Sequence, residues 1–129
     1  MPGSMVQIPI KPLSVNQAHG GRTYKSVKYK IYEKEVPLLL PYGYQVPGGN
    51  LIILIRFHFS SAASDWDNPI KPIQDIICRH YGVDDKHIHM GLVEKLKVKR
   101  GMDRIEFEFL QYHAGVFERC RKLMIETDF

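Results

Sequence analysis

The sequence predicts one α/β domain of the α+β kind, a mixed central sheet packed with helices. Three observations carry this. Leu51 to Phe59 is apolar on both faces for its first half, as a central strand is. The next segment sets Ile73, Ile76, Ile77 and Tyr81 at helical spacing. Two alternating stretches then follow, Ile88 to Lys99 and Arg104 to Leu110. At 129 residues the chain, residues 1–129, suits one core rather than two.

Taken in order, residues 1–5 read as a vector remnant with the native start at Met5 and are left out of the fold. Val6 to Ile10 is a short strand that Pro9 confines to a sheet edge. Gln17 to Thr23, with Gly20 and Gly21, is a polar loop. Tyr24 to Leu40 has a helical stripe of Val27, Ile31, Val36 and Leu39, and Pro37 must end or kink it. In Leu51 to Phe59, the odd positions line one face; Ile52, Leu54, Arg56 and His58 line the other.

A helix is expected from Pro69 to Tyr81, capped by Asn68 and ended by Gly82. Pro72 allows a later start. In the strand from Ile88, Met90, Leu92, Leu96 and Val98 are expected inward, with Lys95, Lys97 and Lys99 outward. Arg100 to Asp103 turns it into a hairpin, where Glu106 and Glu108 face the lysines and Ile105, Phe107 and Phe109 point inward. Residues 113–129 form a helical tail, with the helix over Ala114 to Ile125.

Composition excludes some classes. No run of about 18 apolar residues exists, so no membrane span is expected, and no export signal opens the chain. Cys78 and Cys120 lack CxxC partners, which argues against structural zinc and for free thiols in a reducing cytoplasm. The net charge of +4 suggests a polyanionic partner.

The chemistry concentrates in Asp65-Trp66-Asp67-Asn68 and Lys71, answered by Asp84 and Asp85. Clustered carboxylates repel unless a cation joins them, and Mg²⁺ or Mn²⁺ with a phosphate suits that donor set. Lys71 would stand above the acids in a first helical turn, with Asp75 one turn further. The same Asp and Asn residues also suit a capped helix N-terminus. A calcium loop fails, because Pro69 stands where a ligand is wanted. His87 and His89 share a face without a third ligand. Trp66 suits packing or base stacking.

A second constellation joins Ser14 and Asn16 to Gly21-Arg22-Thr23-Tyr24-Lys25-Ser26. It suits either a phosphate backbone or a solvated loop. With Asn16, Arg22 and Lys25, the later Lys95, Lys97 and Lys99 are candidate DNA contacts.

Together, Lys11-Pro12 with Ser14 and Asn16, Gly21-Arg22-Thr23 with Ser26, Asp65-x-Asp67-Asn68-x-x-Lys71 and Gly82-Val83-Asp84-Asp85 resemble the RusA family of Holliday-junction resolvases of bacteria and their phages. The resemblance runs from about Ile8 to Leu110. It implies a homodimeric, Mg²⁺-dependent endodeoxyribonuclease that makes paired cuts in four-way DNA junctions. Asp65, Asp67 and Asp85 would be its metal-binding acids and Lys71 its essential lysine; Asp84 is secondary, and Asp75 matches an acidic position. One departure is Ser60-Ser61-Ala62-Ala63-Ser64, where family members can carry a basic run. The alternative is a module that binds branched DNA without cutting it.

Overall fold

The computed structural model describes residues 5–13 and 26–127. Four strands and three helices follow the order β1 (Val6–Ile8), α1 (Val27–Leu39), β2 (Leu51–Phe59), α2 (Ile70–Tyr81), β3 (Ile88–Lys97), β4 (Arg104–Gln111) and α3 (Val116–Glu126). A one-turn 3₁₀ helix at Asp85–His87 precedes β3. The sheet runs β1-β4-β2-β3, so β2 and β4 are central. β2 pairs in parallel with β3 and antiparallel with β4, which pairs antiparallel with β1. The mixed α+β architecture expected from the sequence is what forms.

β2 keeps its expected limits because it is buried on both faces. Ile53, Ile55 and Phe57 stand beside Phe109, Phe107 and Ile105 of β4. This face meets α1 and α2 in the main core, where Phe57, Phe107, Ile73, Ile77 and Ile105 have no exposed surface. Burying a side chain of that size stabilises the fold by ~1.5–3 kcal/mol.

α2 begins at Ile70, not Pro69. Pro69 is the cap residue without a side-chain hydrogen bond, and Ile70 N–H donates to the Asp67 carbonyl (3.1 Å). Asn68 therefore does not cap the helix; its Nδ2 donates to Asp65 Oδ2 (2.5 Å). Pro72 sits in the first turn, where its missing N–H costs no intrahelical bond. At the other end Gly82 takes φ 67°, a left-handed geometry. Val83 N–H then reaches the Cys78 carbonyl at 2.8 Å, closing the helix.

Three expectations are corrected. The buried stripe of α1 is Tyr29, Tyr32 and Val36, while Val27 and Ile31 are exposed. Two aromatic rings cover more core than the aliphatic stripe could. Pro37 falls in the last turn, two residues before the helix ends.

Second, β3 and β4 form no hairpin, since β2 lies between them. Glu106 and Glu108 stand beside Arg56 and Leu54 of β2, away from the lysines. A strand apolar on both faces gains more from two neighbours than from one.

Third, β3 meets the expectation only in part: Lys95, Lys97 and Lys99 are exposed and Met90, Leu96 and Val98 half-buried, but Val93 takes a core position expected of Leu92. A register shift between Leu51 and Ile52 sets Val93, Lys95 and Lys97 beside Ile55, Phe57 and Phe59. Ile88 and Val93 therefore pack on the core, while Leu92 is exposed. A one-residue slip exchanges the faces of a strand, and an unpaired edge tolerates it. β3 is also shorter than expected, ending at Lys97, although Val98 N–H still reaches the Phe59 carbonyl (2.8 Å).

The second sheet face is polar at its centre. His58 and Glu106 are buried there and hydrogen-bonded through His58 Nε2 and Glu106 Oε1. Gln7 Nε2 donates to Glu106 at 2.6 Å, and Arg56 bridges Glu106 (3.4 Å) and Glu94 (2.9 Å). Burial raises the Glu106 carboxyl, but Gln7, His58 and the Arg56 charge together hold it below its ordinary value. His58 Nδ1 is buried without a partner among the described residues. α3 contributes no buried residue, and Phe117, Leu123, Met124 and Ile125 are exposed on it.

Candidate functional site

Asp65 and Asp67 stand on residues 60–69, the loop that leaves the carboxyl end of β2 and turns into α2. Both are exposed. The loop is tied back over β3: Trp66 Nε1 donates to the Val93 carbonyl (3.3 Å), and Lys95 Nζ to the Ser64 carbonyl (2.7 Å). Trp66 is 55% exposed and lines a cavity of about 340 Å³ with Ile70, Gln74 and His89. It is thus a tether with a free ring surface.

Lys71 projects from the first turn of α2, and its Nζ lies 3.4 Å from Asp75 Oδ2, one turn on. The Lys71 side chain is 72% exposed, so this pair contributes little to stability.

Asp84 and Asp85 lie at the amino end of β3. Asp84 is occupied as a cap: its Oδ1 accepts from Lys86 N–H (3.0 Å), which holds its carboxyl below the ordinary value. Asp85 opens the 3₁₀ turn, and its carbonyl accepts from Ile88 N–H. Burial pushes the Cys78 thiol up to about 11, helped by the charges of Asp85, Asp75 and Asp84. Those three acids therefore flank the last turns of α2.

The acids consequently do not converge as their spacing suggests. Ile88 is level with Leu51, whereas Trp66 is anchored at Val93, five residues further along β3. At ~3.3 Å per residue those levels are ~16 Å apart. α2, 12 residues long, runs back over the same span and gives a like separation of Asp67 from Asp85, ~18 Å. Among the described residues, no three His, Cys, Asp or Glu side chains form a group able to hold a metal. Asp65 and Asp67 alone still suit a hard cation that keeps its waters and takes the rest of its shell from a phosphate. Asp85 lies outside that pair within one chain.

Of the expected DNA contacts, Lys97 and Lys99 are exposed, and Lys95 is partly engaged by the acidic loop. Asn16, Arg22 and Lys25, with Ser14, Gly21 and Thr23, lie outside the described residues. The buried His58–Glu106 pair has one trace in the sequence, a polar residue within each of two strands rich in apolar residues. Among the described residues no helix is long and apolar enough to cross a membrane. No protein-family model matches the chain, and no curated protein matches it either.

Proposed function

We propose that the protein is a divalent-metal-dependent, structure-selective endodeoxyribonuclease acting on branched DNA inside a bacterial or phage-infected cell. The observation that carries the reading is the exposed Asp65–Asp67 loop, which leaves the carboxyl end of β2 and is tied back over β3, with Lys71 one helical turn away. Ligands of α/β sheets collect at that end.

In this reading Asp65 and Asp67 would hold Mg²⁺ or Mn²⁺, an ion that would supply Lewis-acid chemistry and charge balance for phosphodiester hydrolysis. Lys71, free at its tip apart from Asp75, offers a cation to the same phosphate. Asn68 orients Asp65 through its amide. Lys97 and Lys99 hold the backbone of the strand. Two copies of the chain supply two symmetric cuts, the arrangement a four-way junction requires.

A second reading is a module that binds branched DNA without cutting it. One observation favours it: Asp85 stands away from Asp65 and Asp67, leaving two acids where three were expected. Incubation of the protein with a four-way junction in Mg²⁺, Mn²⁺ or EDTA separates the two. Paired nicks in metal that vanish in Asp67→Asn support the nuclease; binding in EDTA without cleavage in either metal supports the module.

A further inference from the structure

A cavity of about 550 Å³ opens between the segment after β1, the start of the acidic loop and the β3–β4 connection. Lys11, Ser60, Ser61, Arg100, Gly101 and Asp103 line it. Asp103 Oδ2 accepts from Ser60 N–H at 3.0 Å, fixing the loop to the connection. Burial raises the Asp103 carboxyl, but the Ser60 contacts and the Lys11 cation outweigh it and hold it low, so Lys11 faces this wall. Gly101, at φ 86°, gives the connection a left-handed turn that other residues rarely adopt.

We infer that this cavity is a second nucleic-acid subsite, which takes a backbone phosphodiester a few nucleotides from the strand position held at Asp65 and Asp67. Two cations against one carboxylate leave a single positive charge, matched to a phosphodiester rather than to a doubly charged free phosphate. The Ser60 and Ser61 hydroxyls add hydrogen-bond donors that follow phosphate oxygens without reading bases. The volume exceeds a bare anion and suits a sugar–phosphate unit. Ser61 is four residues from Asp65, a reach of at most ~14 Å. That is roughly four steps of a strand rising ~3.4 Å per nucleotide. The cations that the serine-rich loop lacks are supplied by two distant segments of the chain.

The identity of the strand rests on the nucleic-acid reading above; binding in the cavity does not require cleavage. The test therefore runs in EDTA. Amide NMR shifts are followed on adding a short single-stranded oligodeoxynucleotide or inorganic phosphate. The oligonucleotide should move the Ser60, Ser61 and Gly101 amides at concentrations where inorganic phosphate does not. Equal response to inorganic phosphate alone, or no response to either, overturns the subsite. Junction binding is then measured across a salt series for Lys11→Gln and Arg100→Gln, both exposed positions whose folding is checked by melting. Each should weaken binding several-fold and lower the salt slope by about 1. Unchanged slopes in both overturn the subsite. Unchanged junction cleavage in Asp67→Asn, with these shifts intact, would instead count against the nuclease.

Discussion

The two ends of the parallel β2–β3 pair carry the same residue type in different states. At the amino end, Asp84 is consumed by the Lys86 N–H and closes a 3₁₀ turn. At the carboxyl end, Asp65 is held by a side-chain amide and Asp67 by its carbonyl alone, and both are exposed. An acid with one oxygen committed to backbone and the other beside a lysine, 3.6 Å from Lys86 Nζ, serves its own turn. An acid presented from a tethered loop is available to a cation and a phosphate. Spacing along a chain does not separate the two; hydrogen-bond partners do.

Four variants and one pH profile break or sharpen this contrast. The largest effect is expected from Asp67→Asn, which should cut metal-dependent junction cleavage by about 100-fold or more while leaving the melting temperature unchanged. Normal cleavage would end the nuclease reading. Asp85→Asn should reduce cleavage far less than Asp67→Asn; equal losses would bring Asp85 into the metal's surroundings in the assembled protein.

Glu106→Gln, on the far sheet face, should lower stability by about 1–3 kcal/mol without a specific effect on metal dependence, read by urea unfolding. The wild-type pH profile follows from the same group. A carboxyl lowered in the folded state adds stability that is fully present above its ordinary value, 4.5, and is lost as pH falls through the lowered one. Stability should therefore drop in that acid window, and the drop should shrink in Glu106→Gln. The smallest effect is expected for Asp84→Ala, a slight fall in melting temperature with cleavage intact, because only a cap is removed.

Much of the scaffold was legible where local signals suffice. β2 declared itself through an apolar run on both faces, and α2 through its isoleucine spacing and Gly82. The misreadings share a cause. The insertion of β2 between β3 and β4 has no signature within either segment, so adjacent strands looked like a hairpin and Glu106 looked like a partner of lysines. The slip at Leu51–Ile52 that sets Val93 rather than Leu92 on the core is likewise a property of a pairing. The candidate acids stand out in the sequence as a set, but their separation depends on the direction α2 takes back along the sheet.

The place of β4 has a consequence for biosynthesis. It is the last strand among the described residues, yet it seats between β1, the first of them, and β2. While residues 104–111 are still in the ribosome, β2 has a bare apolar margin and β1 has nothing to pair with. Nascent chains stopped before Arg104 should accordingly clump or recruit chaperones, and soluble protein should appear only once that closing strand has emerged.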